Sequence, residues 1–148
     1  MTARRRLLGA AVMATGLLLV AWPARAAPLA AQDASAVRAV VDAQLRAMAA
    51  GDAERAFSYA APAIRAQFGD AQRFMAMVAG SYPMVIRPAS TVFFQPTLDA
   101  DGDVLQVVQL RDTAGKLWRA SYLLARQPGN AWRIAGCVVA PDTGAGTT

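Results

Sequence analysis

Apolar positions follow a helical period in the first half of the chain and a two-residue period in the second half. Over the first half, i, i+3, i+4 spacing predicts a helix that begins at Asp33 or Ser35, either of which can cap it, and runs to about Ala50. Its charged residues, Arg38, Asp42 and Arg46, fall on another face and predict a solvated ladder. The predicted buried stripe is Val37, Val40, Val41, Leu45 and Met48.

Short helices are predicted to follow, each opened by its own local signal. Gly51 ends the first helix, Asp52 caps the second, Pro62 opens the third at its first turn and Asp70 caps the fourth. Their large apolar residues form a row that we expect to close over the sheet as a lid. This row is Phe57, Ile64, Phe68, Phe74 and Met77.

From Met84 onward the pattern predicts strands. Met84 to Ile86 reads as a short strand and Thr91 to Leu98 as a longer one, with Pro96 placing that strand at an edge or at a bulge. Three hairpin turns are predicted at Asp101-Gly102, at Thr113-Ala114 and at Gln127 to Gly129. The registers that follow pair Leu98 with Leu105, Gln109 with Trp118 and Leu124 with Trp132. Together they predict one inner face: Val92, Phe94, Leu98, Leu105, Val107, Trp118, Tyr122, Leu124, Trp132, Ile134 and Val138.

Two features of this predicted sheet bear on binding. Ala120 would face Gly136 between larger side chains, which leaves a hollow that is filled by a close helix or kept as a pocket; close packing is the favoured alternative. The outer face would carry too many apolar residues for a solvated surface, which indicates a homodimer contact or a covering loop. These outer residues are Leu110, Leu117, Leu123 and Val139.

The first 26 residues have the pattern of a secretory signal peptide. Three arginines, Arg4 to Arg6, precede an uncharged run from Leu7 to Val20, and Ala24-Arg25-Ala26 matches a cleavage site. The run is shorter than the roughly 20 residues of a membrane span, so no stable membrane anchor is expected. We therefore predict a periplasmic or secreted protein, exported by the Sec or the twin-arginine route. Residues 27–140 would form one α+β domain and residues 141–148 a disordered tail.

Removal of this segment changes the charge argument. Four of the 15 Lys and Arg residues lie in residues 1–26 and none of the 10 Asp and Glu residues do, which leaves 11 basic against 10 acidic groups. The basic character of the whole chain thus belongs largely to the signal, and no nucleic-acid partner is expected.

The ionisable residues offer little for catalysis. The chain has no histidine, and most acids occupy predicted helix starts or hairpin turns, so no catalytic residue is assigned. Asp99, Asp101 and Asp103 alternate like a calcium loop, but the glycine and glutamate that such a loop needs are absent. Neither a metal site nor a cofactor motif is predicted. The single cysteine, Cys137, is predicted to be a small buried or half-buried side chain, which is favoured over a reactive thiol.

Several short segments together resemble a bacterial family labelled domain of unknown function 4864. They are Gln44-Leu45, Gly51-Asp52, Ala56 to Ala60 with Pro62, Gln67-Phe68-Gly69, Phe74, Met77-Val78, Tyr82-Pro83 and Trp132 to Cys137. The resemblance spans nearly the whole chain after the signal. The order of elements also looks like the nuclear-transport-factor-2-like, or cystatin-like, cone, in which a curved sheet wraps a long helix. The family resemblance implies a fold and no mechanism.

The expected fold is therefore α+β, with N-terminal helices on a curved antiparallel sheet of four or more strands. The leading hypothesis is a non-enzymatic exported domain that binds a small apolar ligand or a protein partner, with a homodimer through the outer sheet face. The alternative is a lyase or isomerase of the ketosteroid-isomerase type, using Tyr59 or Tyr122 with Asp42 as the acid. The expected pocket lining is Tyr59, Phe68, Phe74, Met77, Tyr82, Phe94, Trp118, Tyr122 and Trp132.

Overall fold

The structure is a computed structural model that describes residues 29–144 of the chain. The predicted signal peptide lies outside the described residues, as do residues 145–148 of the predicted tail. Pro141, at which that tail was expected to begin, is the last residue of the final strand. Among the described residues, no helix combines the length and the apolar character needed to cross a membrane.

Helices occupy the first half of the domain and an antiparallel sheet the second, which confirms the predicted α+β class. The helices are α1 (Ala31–Ala49), α2 (Ala53–Ser58), α3 (Pro62–Phe68), α4 (Ala71–Ser81) and α5 (Pro83–Ile86). The strands are β1 (Ser90–Phe93), β2 (Thr97–Leu98), β3 (Val104–Arg111), β4 (Leu117–Arg126) and β5 (Trp132–Pro141). The sheet order is β1-β3-β4-β5, and β2 pairs with the same edge of β3 as β1 does.

Local signals place the helix ends. Asp52 and Asp70 accept hydrogen bonds from the amides of Arg55 and Arg73 at 3.1 and 2.8 Å, as expected for N-caps. Gly51, with φ of 70°, ends α1, and the Asp52 amide returns to the Ala47 carbonyl at 2.9 Å.

Two predictions about the helical half are wrong. Neither Asp33 nor Ser35 caps α1, because the helix begins earlier, after Ala30, without a side-chain cap. The segment from Met84 to Ile86 lies in α5 and is not a strand. Pro83 opens this helix at its first turn, where a missing amide is harmless, and Val85 is buried in the core.

The edge beside β3 is broken at Pro96, as the sequence predicted. The pairing register shifts by one residue between β1 and β2. The buried Gln106 lies beside the break, and its Nε2 donates to the Phe94 carbonyl at 2.7 Å. A side-chain amide thus satisfies a backbone carbonyl that the interrupted strand leaves free.

All three hairpins have three-residue loops in which the third residue has positive φ. These residues are Gly102, Gly115 and Asn130, with φ of 83°, 86° and 67°. The loops are closed by amide-to-carbonyl bonds from Asp99 to Asp103, from Asp112 to Lys116 and from Gln127 to Ala131, at 2.8–2.9 Å. In the first two hairpins this is the arrangement of a type I turn followed by a left-handed residue. In the third, Gly129 also has a positive φ of 87°, so Gln127 to Asn130 form a type II turn. The predicted turns were centred elsewhere, so all three predicted registers are wrong.

The corrected registers change which side chains face the core. Val104, Gln106, Val108 and Leu110 of β3 are buried, whereas Leu105 is 38% exposed. Five residues predicted to be internal lie on the outward face instead: Val92, Phe94, Leu105, Val107 and Val138. Conversely, Leu110 and Val139, predicted to be external, face the helices.

An extra residue in β5 accounts for the remaining difference. Leu124 pairs with Ile134 but Leu123 pairs with Gly136, so Ala135 is the additional residue of a bulge. Ala120 therefore faces Val139 and not Gly136. Beside the bulge, the segment between α2 and α3 joins the edge of the sheet. The Ile134 amide donates to the Tyr59 carbonyl at 2.9 Å, and the Ala61 amide donates to the Ile134 carbonyl at 2.8 Å.

Candidate functional site

A cavity of about 300 Å³ lies between the helices and the strands β4 and β5. This volume is at the lower end of the roughly 300–1,000 Å³ of small-molecule sites. The cavity opens to solvent near Gln67 and Cys137, both of which are exposed. Its wall consists of Gln44, Met48, Ala60, Ile64, Gln67, Phe68, Phe74, Met77, Val78, Tyr82, Val85, Tyr122, Ile134, Ala135, Gly136, Cys137 and Val139.

The helical part of this wall is an aromatic cluster. The Phe74 ring lies 5.4 Å from the Phe57 ring and 5.7 Å from the Phe68 ring, measured between centroids. Both distances suit tilted or edge-to-face aromatic pairs. Phe74 is buried on α4, which Asp70 caps, and Phe68 is the last residue of α3, which Pro62 opens.

Gln44 and Tyr122 are the buried polar residues of the wall. Gln44 is 3% exposed, and its Nε2 donates to the Ala56 carbonyl at 3.1 Å, which ties α1 to α2. Tyr122 is 1% exposed, and its hydroxyl is enclosed beside the Cys137 thiol and makes no other hydrogen bond among the described residues. Burial, with a smaller effect of the neighbouring Cys137, raises the pKa of Tyr122 well above its usual range. The hydroxyl is therefore protonated at neutral pH.

Cys137 lies directly across from Tyr122 in the sheet, so both side chains are on the cavity side. The residue is exposed through the mouth of the cavity, yet apolar side chains surround it. This desolvation raises the pKa of the thiol to about 12, although the Tyr122 hydroxyl offsets part of the effect. Because Tyr122 and Cys137 are both neutral, the wall carries no charged side chain among the residues that line it.

Alkylation of Cys137 by iodoacetamide is expected to be slow, since the thiolate is the reacting species. At pH 8 we expect a rate at least about tenfold below that of an ordinary thiol. The rate should keep rising tenfold per pH unit beyond pH 9.0, the usual thiol pKa. The same chain unfolded in denaturant is the control, because Cys137 is its single cysteine. If the alkylation rate of the folded protein stopped rising by about pH 10, Cys137 would have the pKa of an ordinary solvated thiol, and the prediction would be wrong.

The structure brings five of the nine expected lining residues into the wall: Phe68, Phe74, Met77, Tyr82 and Tyr122. The other four lie elsewhere. Tyr59 accepts a bond from Arg55 Nε at 3.4 Å, and Phe94 is on the outer face, where Arg119 lies over its ring. Trp118 donates to Asp112 at 2.9 Å near a hairpin loop, and Trp132 donates to Asp33 at the start of α1.

Gln44 and Cys137 were not among the expected lining residues. A signal for Gln44 was present, because it lies seven residues after Val37 and three after Val41, on the buried stripe of the first helix. For Cys137 no comparable signal exists, since the bulge at Ala135 decides which face it takes.

Asp42, the acid of the alternative enzymatic hypothesis, lies outside the cavity. Its carboxylate pairs with Arg46 Nε at 2.9 Å on the exposed face of α1. Neither residue lines the cavity. Asp42 therefore cannot act as the acid of the lyase or isomerase hypothesis in this cavity.

The fold and the cavity define a small α+β domain in which helices and an antiparallel sheet enclose a largely apolar space. The sequence model of the family described as domain of unknown function (DUF4864) matches residues 30–147. The chain belongs to this family, which confirms the resemblance seen in its sequence. No curated protein and no solved structure matches the chain.

Proposed function

We propose that this domain binds a small, mainly apolar ligand in the cavity, without catalysing a reaction. The proposal rests on the composition of the wall: large apolar side chains with a few buried polar groups, open at one side. Such a composition is typical of small-molecule sites. An apolar ligand gains free energy when its surface leaves water for this uncharged wall. A charged ligand would lose its hydration there without meeting an opposite charge.

N-phenylnaphthylamine, a neutral apolar dye, tests this proposal by the rise of its fluorescence on binding. We expect a dissociation constant on the order of 10 µM. The free energy gained by burying the dye is partly offset by the translational and rotational freedom that it loses on binding. Replacing Cys137 with phenylalanine should fill the mouth and weaken binding at least about tenfold, because the residue faces the cavity. Cys137→Ser, which keeps the space open, should bind like the wild type.

Val138→Phe is the matched control. Val138 is the next residue of β5, lies on the outward face and is 68% exposed. This variant should bind the dye like the wild type. If Cys137→Phe left the affinity unchanged, or if Val138→Phe changed it instead, the cavity would not be the binding site.

Export and a homodimer were also predicted from the sequence. We propose both for the domain, since residues 1–26 carry the export pattern and the outward face exposes Val92, Phe94, Leu105 and Val138. Sequencing of the amino terminus of the processed chain tests export. Sedimentation at several protein concentrations tests the homodimer.

A further inference from the structure

The free edge of β5 carries backbone groups that the fold leaves without partners. β5 is the last strand in the sheet order, and the segment between α2 and α3 bonds to its outer edge at Ile134. Beyond that point, no strand or loop among residues 29–144 pairs with the edge. The unpaired stretch runs from Gly136 to Ala140, and each of its residues is half-buried or exposed.

The antiparallel register identifies the unpaired groups. The Leu117 carbonyl points to β5, since it accepts a bond from the Asp142 amide at 2.9 Å. This direction alternates along an antiparallel strand, so every second residue of β4 after Leu117 also points to β5, and one of them pairs with Val138. The amides and carbonyls of Cys137 and Val139 therefore point away from β4. None of them has a backbone partner in the described part of the chain.

Two features limit this free edge to a stretch centred on Val138. On one side, the amide and the carbonyl of Ile134 are already bonded to the segment between α2 and α3. On the other side, Pro141 has no N–H group, so a ladder of hydrogen bonds ends there. The stretch between them carries no charged side chain, although charged residues commonly protect an exposed edge from pairing.

We propose that two copies of the domain pair through this edge, with their β5 strands antiparallel and Val138 on the two-fold axis. Cys137 of each copy then lies opposite Val139 of the other, and the two residues exchange both of their N–H···O bonds. Gly136 lies opposite Ala140, so small residues meet at the ends of the new ladder. This inference rests on the proposed homodimer and names its contact as the edge of β5.

The side chains on both faces of the paired strands suit a second copy. Val138 is 68% exposed on the outward face. The two-fold axis places it against Val138 of the second copy in a non-hydrogen-bonded pair, where side chains lie closest together. On the other face, Val139 of the second copy lies beside Cys137 at the mouth of the cavity. The second copy therefore covers exposed apolar surface and adds a residue to the mouth.

The opposite edge of the sheet is less suited to such pairing. β1 has four residues, and the pairing register shifts after it, at the break near Pro96. Pairing of β5 with β1 of another copy would also leave one free edge on each copy, and such a contact continues into a filament. The two-fold pairing of β5 uses the same stretch in both copies, so the assembly closes at two.

Disulfide formation between copies tests the proposed register. In a Cys137→Ser background, Val138→Cys should form a covalent dimer on oxidation, because residues opposite each other in a non-hydrogen-bonded pair are within reach of a disulfide. Val92→Cys in the same background is the matched control. Val92 is 52% exposed on the same outward face but lies at the opposite edge of the sheet. We expect Val138→Cys to oxidise to dimer at least about tenfold faster than Val92→Cys, as measured by non-reducing electrophoresis.

Sedimentation velocity of charged variants tests the same contact without a covalent bond. We expect a dissociation constant of the wild-type dimer on the order of 100 µM, since one short strand edge is a small interface. Val138→Lys should raise this constant at least about tenfold, because like charges would meet on the axis. Val92→Lys adds the same charge to the same face and should change the constant by less than about twofold. Both sites are exposed, so both variants are expected to fold, and thermal unfolding checks this.

The outcomes separate the edge contact from the homodimer itself. A wild-type dimer that Val92→Lys weakens and Val138→Lys does not would overturn the edge contact and support a dimer of stacked outward faces. Equal oxidation of the two cysteine variants would also overturn the edge contact. A wild type that stays monomeric up to about 500 µM would overturn the homodimer and the inference together. Binding of the dye tests the ligand-binding function independently of all these results.

Discussion

Replacing Leu110 with alanine is expected to lower the free energy of unfolding by about 2–5 kcal/mol. Leu110 is completely buried, on the side of β3 that faces the helices. Truncation removes its contacts and leaves a space that the surrounding core fills only in part. Urea unfolding followed by tryptophan fluorescence measures the effect, since Trp118 and Trp132 both lie in the folded domain.

Leu105→Ala is the matched control for this prediction. The substitution is the same and the strand is the same, but Leu105 lies on the opposite face and is 38% exposed. Its replacement should lower the free energy of unfolding by less than about 1 kcal/mol. The register predicted from sequence places Leu105 inside and Leu110 outside, so a larger effect at Leu105 would support that register and contradict the structure.

Replacing Trp132 with alanine is expected to destabilise the fold by about 3–5 kcal/mol. Trp132 is 4% exposed at the start of β5, and its Nε1 donates to Asp33 of α1 at 3.3 Å. Arg126 lies 4.5 Å above the ring and pairs with the same aspartate at 2.8 Å. The indole therefore fills the core and also joins the first helix to the last strand.

Two variants separate these contributions. Asp33→Asn should change stability by no more than about 1 kcal/mol, because the ion pair is partly exposed and contributes little. Trp118→Ala, the same truncation at a half-buried indole beside a hairpin loop, should cost about 1–2 kcal/mol. Equal losses at the two tryptophans would contradict the assignment of Trp132 to the core.

The helices were largely predictable because their signals are local. Asp52, Pro62 and Asp70 open helices by bonds or backbone angles within one turn, and such signals do not depend on the rest of the fold. The strand-like reading of Met84 to Ile86 failed because three apolar residues have no distinguishable period. Pro83, directly before them, was the better evidence, because proline is common in the first turn of a helix.

The register was less predictable because the side-chain period of a strand is two. In the first hairpin, an Asp-Gly pair suggested a two-residue turn, whereas Gly102 is the third residue of a longer loop. Asp99 and Asp112 carried the missed signal: each carboxylate accepts two amides of its own loop, which favours the longer turn. An error of one residue at this point exchanges the two faces of β3.

The candidate site was predictable where its residues lie on helices, and it was not predictable where they depend on the register of the sheet. Phe68, Phe74 and Met77 lie in the cavity wall because helical periodicity places them there. Phe94 lies outside it because its face depended on the register. The cavity itself depends on how α3 and α4 meet β5 across long sequence separations, which no local pattern encodes.

The backbone bridge between Ala60 and Ile134 has a consequence for the order in which the domain assembles. The segment between α2 and α3 hydrogen-bonds to β5, the last strand. Because α2 and α3 come early in the chain, they leave the ribosome long before β5 does. Closing so long a loop is slow compared with the formation of the helices themselves. The cavity is thus among the last parts of the molecule to form, and a chain shortened before β5 would keep its helical signals but could not build the site.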